Sequence, residues 1–230
     1  MWYSFVGSSS LSQAVFETSN QNFQQSDLLQ FQTNYGLTKQ AADVIGTTAS
    51  TSCTFSTCYE GSLDIQYIMG VAQNISSIFW YSSGTTSGDS FLDFVTTVAS
   101  TAKPPSTLSI SWGGIESQYP NSYLDSFQTE AMKLTAMGTT IFASSGDDGV
   151  AGYNCRCTID SSFNTTAKSN TWSGSNSWSG TGYFPDYPAS CPYVVAVGAT
   201  SGPESGNPEV VCEVCNHYLY IFRSARNIFL

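Results

Sequence analysis

Ser77-Ile-Phe-Trp-Tyr81, the stretch from Asp89 to Ser100, and Leu108-Ser-Ile-Ser-Trp112 follow one another, and their reading decides the fold. The first is a short apolar run, the mark of a buried strand. The second sets Phe91, Leu92, Phe94, Val95 and Val98 at helical spacing before Pro104-Pro105, where proline ends a helix. The third is another apolar strand, closed by Gly113-Gly114. Strand, helix and strand at this spacing predict a βαβ unit and hence parallel strands.

The alternation continues in both directions. Tyr123 to Met137 carries Leu124, Phe127, Ala131, Leu134 and Met137 on one side and stops at Gly138, a helix with a glycine end. Thr139 to Ser144 and Tyr193-Val-Val-Ala-Val197 read as strands, and residues 152–182 as a Ser/Asn/Thr/Gly loop. Toward the N-terminus, Leu63, Ile65, Ile68, Met69 and Ala72 predict a helix from Glu60, after a small polar loop from Thr47 to Cys58. Ser26 is an expected N-cap for a short helix that carries Leu28, Leu29 and Phe31 and ends near Gly36. The fold class is α/β: a parallel sheet with helices on both faces and right-handed crossovers. Working sites in such sheets lie at the carboxyl ends of strands, which singles out the loops after Tyr81, Trp112 and Ser145.

Composition narrows the function. Charged residues are 10% of the 230, against ~25% in ordinary soluble proteins. Seven Lys+Arg against 17 Asp+Glu give a net charge of −10; that lacks the basic patch of a nucleic-acid binder. No run of apolar residues is long enough for a membrane span. An acidic surface with few cations avoids self-repulsion as carboxylates titrate, so it suits an acidic compartment. The seven cysteines include Cys53 and Cys58 around the four-residue stretch Thr54-Phe-Ser-Thr57, a candidate disulfide loop. Asn74-Ile-Ser76 and Asn164-Thr-Thr166 are candidate glycosylation sites. Together these features point to a secreted, lysosomal or vacuolar protein. The start, Met1-Trp-Tyr-Ser4, has no signal-peptide character. Cys212-Glu-Val-Cys215-Asn-His217 is half a metal site at most, since no second Cys-x-x-Cys completes it.

Three segments could carry chemistry. Glu60 and Asp64 are four apart, on one helical face. Two carboxylates there repel unless they share a proton; as solvated acids near a helix N-terminus they would instead be favoured by the dipole. Asp147 follows the apolar strand and Ser144-Ser-Gly146, at a strand's carboxyl end, where an Asp-Gly turn is the plainer alternative. Trp112 stands at the rim of another strand end, before a glycine turn.

These segments together resemble the sedolisins, the serine-carboxyl peptidases, in their tripeptidyl-peptidase-like form. The matching stretches are Ser12-Gln-Ala-Val-Phe-Glu17, Ser26-Asp-Leu-Leu-Gln-Phe31, Glu60-Gly-Ser-Leu-Asp-Ile-Gln-Tyr67 with Gln73-Asn-Ile-Ser76, Ser109-Ile-Ser-Trp-Gly113, Ala143-Ser-Ser-Gly-Asp147, and Phe184-Pro185 through Pro192 to Thr200. The resemblance runs over about residues 8–212. It implies a subtilisin-like sheet and an acid-pH peptidase with Glu60 as general base, Asp64 as its orienting partner, Asp147 in the oxyanion hole and Trp112 beside the network. A glutamate, with a pKa of ~4.3, suits proton transfer at acid pH better than a histidine. A protonated aspartic acid can donate to a developing oxyanion.

The family's nucleophile lies in a Gly-Thr-Ser segment. Gly84-Thr-Thr-Ser-Gly88 stands at the wrong place for it, and Gly198-Ala-Thr-Ser201 matches a different family segment. The expectation is a partial peptidase domain over 1–212, with the sheet incomplete at its C-terminus, followed by an unrelated tail over 213–230. The nucleophile and the family's calcium site are expected outside this chain, which itself is expected to hold no cofactor. The expected partner is a peptide or protein substrate, with no nucleic acid or membrane, and a monomer when complete. A non-catalytic pseudopeptidase that binds peptides or inhibitors is the alternative. A nucleotide binder is disfavoured, because Gly113-Gly114 is too short a phosphate loop.

Overall fold

A computed structural model describes residues 5–8, 10–46, 53–86, 88–146, 185–201, 206, 208 and 210–211. Six strands form its main sheet: β1 Ser12–Glu17, β2 Asp43–Ile45, β3 Ser76–Tyr81, β4 Thr107–Ile110, β5 Thr140–Ser144 and β6 Val195–Val197. Four helices connect them: α1 Gln25–Asn34, α2 Phe55–Val71, α3 Ser90–Ala99 and α4 Asn121–Ala136. The order across the sheet is β6-β5-β4-β1-β3-β2, and every neighbouring pair is parallel.

The central strand β1 is buried on both faces, and its alternation sorts the core. Ala14 and Phe16 face α3 and α4, where Phe16 stacks 5.2 Å from Phe91 and 5.0 Å from Phe94 between ring centroids. Val15 points the other way, into a smaller core with Leu28 of α1, Ile65 and Met69 of α2, and Phe79 of β3. Gln13 and Glu17 share the parity of Val15 and are buried on that same face.

Several boundaries differ from expectation. Ser26 lies inside α1; Gln24 is the N-cap and offers no side-chain cap, while the Ser26 hydroxyl bonds Gln24 and Asp27. The polar stretch before Glu60 is helical from Phe55, because Thr54 and Thr57 form a reciprocal capping box that starts α2 a turn and a half early. Glu60 therefore stands in the second turn of α2. β4 ends at Ile110, so Ser111 and Trp112 belong to the rim. Strands β1 and β2 were not expected from periodicity.

One crossover breaks the expected handedness. The β1–α1–β2 connection moves one way across the sheet; those through α2, α3 and α4 move the other way. Helices α1 and α2 cover one face, α3 and α4 the opposite one. Reversing both face and direction preserves the hand, so α1, α3 and α4 agree and α2 does not. Parallel crossovers are right-handed in ~98% of cases, which makes β2–α2–β3 the left-handed exception.

On the face carrying α1 and α2, strands β5 and β6 remain open among the described residues. Phe142, Val195 and Val197, level with one another or two residues apart in register, are 37%, 47% and 49% exposed.

Candidate active site

Helices in a parallel sheet run back against the strands, so the first turns of α2 lie at the carboxyl ends. Glu17 is the last residue of β1 and is completely buried. Its Oε2 accepts a hydrogen bond from Trp112 Nε1 at 3.0 Å, and its backbone carbonyl accepts one from Ser82 N at 2.8 Å. Asp64 of α2 reaches the same point: its carboxyl is hydrogen-bonded to the Glu17 carboxyl and to Ser111 at the end of β4. Asp64 is partly exposed as a residue, yet its Oδ2 is buried.

Neither Glu17 Oε1 nor Asp64 Oδ2 meets an N–H or O–H donor from any other group. Two such acceptor oxygens in a buried site require a proton between the carboxyls. Burial raises the Glu17 pKa well above the usual range, the Asp64 charge raises it further, and Glu60 adds to the rise. Burial also pushes Asp64 up to about 6, against the hydrogen bonds from Ser111 and Glu17, which lower it. Both carboxyls are therefore protonated at acid pH, and as pH rises Asp64 gives up its proton before Glu17, which then donates to the Asp64 carboxylate. Glu60 stands one helical turn earlier on α2, partly exposed.

The structure thus brings Asp64, Trp112 and Glu17 into contact and sets Glu60 beside them. Asp147 and Asn164 lie outside the described residues, as do the 213–230 tail and the Cys212–His217 segment. The lead-in to Asp147 is in place: Ser145 N donates to Val197 O at 2.9 Å, and Gly146 takes φ 88°. A Cβ on Gly146 would overlap the carboxylate of Asp186. Cys53 and Cys58 are disulfide-bonded across the capping turn of α2. Asn74 is exposed, with φ 61°, in the turn before β3. Among the described residues no three His, Cys, Asp or Glu side chains gather as metal ligands, and no helix is long and apolar enough to cross a membrane.

Sequence reasoning gave no role to Glu17. Its signal was nonetheless present: an acid directly closes the apolar run Ala14-Val-Phe16, where burial demands a partner.

No family model matches the chain. It is 34% identical to tripeptidyl-peptidase 1 of Dictyostelium discoideum over 198 residues, which is 85% of this chain and 28% of that protein. To tripeptidyl-peptidase 1 of Homo sapiens it is 31% identical over 203 residues, 86% of this chain and 31% of the relative. To tripeptidyl-peptidase sed1 of Aspergillus fumigatus it is 36% identical over 106 residues, 46% of this chain and 14% of the relative. The chain therefore spans under a third of the length of these curated relatives. Among solved structures, Pseudomonas sedolisin, a serine-carboxyl proteinase complexed with pseudo-iodotyrostatin, superposes with a TM-score of 0.61 at 23% identity, covering 89% of this chain and 53% of that one. That likeness shows a shared fold, and the sequence relatives carry the kinship: over about 200 residues the chain is a homologue of part of the tripeptidyl-peptidases, on the fold of sedolisin.

Proposed function

We propose that this chain is the part of an acid-acting, tripeptidyl-peptidase-like serine-carboxyl peptidase that supplies its proton-transfer half. The observation that carries this reading is the buried carboxyl pair, Glu17 hydrogen-bonded to Asp64, with Glu60 one turn away at the carboxyl edge of the sheet. In this reading Glu60 is the general base, and Asp64, fixed by Glu17 and Ser111, orients it. The nucleophilic serine comes from sequence beyond this chain. Its Oγ attacks the scissile carbonyl carbon, its proton passes to Glu60, and Asp147 donates a hydrogen bond to the oxyanion. The C–N bond then breaks as Glu60 returns the proton to the leaving amine, leaving an acyl-enzyme for water to hydrolyse.

Substrates are peptides, and the complete protein works as a monomer in a secreted or lysosomal setting. The Cys53–Cys58 disulfide and the exposed Asn74 sequon support that setting. Calcium belongs to the parts of the domain outside this chain. The second reading is a pseudopeptidase that binds peptides without turnover, favoured by an acid network that is intact while no serine here is assigned as nucleophile.

Sequencing the full transcript supplies the test. The chain in its complete context should hydrolyse a tripeptide amide at about pH 4, and Glu60→Gln or Asp64→Asn should lower kcat/KM by roughly 10²-fold or more. Undiminished turnover in those variants would sink the assignment. The chain alone should form no covalent adduct with a tripeptide chloromethyl ketone by mass spectrometry; an adduct on one serine would place the nucleophile inside it. A complete transcript whose product binds peptide aldehydes without turnover selects the second reading.

A further inference from the structure

The loop that follows Glu17 is held against α2 by a single buried side chain. Gln21, 8% exposed, donates from Nε2 to the Ser56 carbonyl at 2.9 Å and accepts at Oε1 from the Glu60 amide at 3.2 Å. Ser56 and Glu60 are four apart, the two ends of one helical hydrogen-bond ring. The carboxamide therefore clasps the turn of α2 that ends on Glu60. Around it the fit is close: Asn22 N donates to Thr57 O at 2.7 Å, and a Cβ on Gly61 would come within 2.5 Å of Asn22 O. Gln21 itself is anchored by its N–H to Thr18 O at 2.9 Å, one residue past Glu17.

We propose that Gln21 is a positioning residue that sets the distance of Glu60 from Glu17, the strand-borne member of the carboxyl pair. The proposal rests on Glu60 being the working carboxylate. A glutamine suits the task because it donates to a carbonyl and accepts from an amide at once, with no charge added beside three acids. Glu17 belongs to the strand and Glu60 to the helix, and the four-residue link between Glu17 and Asn22 crosses two left-handed positions, Ser19 at φ 51° and Asn20 at φ 63°. Core packing and the Asn22–Thr57 backbone bond seat the helix on the sheet, and the Gln21 clasp holds the turn that carries Glu60.

The experiment is a double-mutant cycle on titration. Side-chain carboxyl resonances of Glu17 and Asp64 are followed by NMR across the acid range, in a background carrying Val195→Lys and Val197→Lys, which places charge on the open sheet face to oppose self-association. In it the four proteins are the parent, Glu60→Gln, Gln21→Met and the double variant. Removing the Glu60 charge should lower the apparent midpoint of the pair. With the near-isosteric, non-clasping Met at 21, that lowering should shrink by at least about twofold, because Glu60 is no longer held at its distance. Equal lowering in both backgrounds overturns the proposal, since a merely structural Gln21 would not alter the coupling. Should Gln21→Met fail to fold, Gln21→Asn carries the test: an uncharged carboxamide one methylene shorter does not reach both the Ser56 carbonyl and the Glu60 amide, so shrunken coupling supports the proposal and undiminished coupling overturns it. A pair unmoved by Glu60→Gln with Gln21 in place overturns the site reading itself, an outcome distinct from failure of the clasp alone.

Discussion

At the scale of the residue, the deciding feature is the hydrogen-bonded pair of carboxyls, Glu17 and Asp64, whose proton affinities burial raises. Glu17 and Asp64 hold protons more tightly in the folded chain than in the unfolded one, burial being the main cause for each. Groups with raised folded pKa values stabilise fully below their unfolded values near ~4, and that stability is lost as pH rises through the folded values. For Asp64 the loss centres on about 6. The denaturant midpoint should therefore be higher near pH ~4.5 than near pH ~7.5; a flat or inverted profile would contradict the raised proton affinity of the pair. Glu17→Gln should flatten the profile, because its amide still donates to Asp64 yet takes up no proton. Trp112→Phe should cost roughly 1–3 kcal/mol at acid and neutral pH, by leaving the completely buried Glu17 Oε2 without its donor. Glu60 and Asp64 stand out in the sequence as an i, i+4 acid pair, but spacing alone leaves two solvated acids as an equal reading, and it is the resemblance that gives them roles. Glu17 was not legible, since its meaning depends on which strand is central, and only pairing on both sides of β1 settles that.

At the scale of the element, α2 shows where pattern reading succeeds and stops. Leu63, Ile65, Ile68 and Met69 disclosed the helix; Ser56, Thr57 and Cys58 disguised its first turn, since small polar residues imitate a loop until a capping box joins them. The crossover hand is invisible to periodicity, because an amphipathic helix packs equally well on either face of a sheet. Here the hand matters for chemistry. On the α3/α4 face, Asp64 would be separated by the sheet from Glu17, whose side chain shares the face of Val15. Gly61 lets α2 seat that closely. Glycine to alanine within a helix ordinarily gains ~1 kcal/mol. At Gly61 the added methyl meets the Asn22 carbonyl at 2.5 Å and the Phe79 ring at 2.9 Å. Backbone does not yield like a flexible side chain, and overpacking costs ~1–3 kcal/mol, so the clash outweighs the propensity gain. Gly61→Ala should lower the urea midpoint; a rise would show that α2 can lift away from the Thr18–Asn22 loop without loss.

At the scale of the whole molecule, the sheet is covered unevenly. Sequence reading foresaw parallel strands and two helical layers, because both follow from alternating periodicity. It could not foresee how far the α1–α2 layer extends, which depends on strand order: β1, β3 and β2 lie beneath it, while β5 and β6 fall beyond it. Among the described residues Phe142, Val195 and Val197 stand open there, and β6 is the outermost strand of the sheet. No charged residue lies on β5 or β6 to oppose pairing, and only 10% of the chain is charged. Charge repulsion weakens further near the isoelectric point of about 4.2, so self-association should be strongest where the carboxyl pair is most stabilising. Sedimentation of the chain at micromolar concentration should show species larger than the monomer, increasing as pH falls toward that point. Val195→Lys with Val197→Lys places two cations on the open face and should return the chain to monomer with an unchanged melting temperature, because both positions are already about half exposed. A monodisperse monomer of the unmodified chain near that pH, with one sharp melt, would mean that the open strands are satisfied within the single molecule.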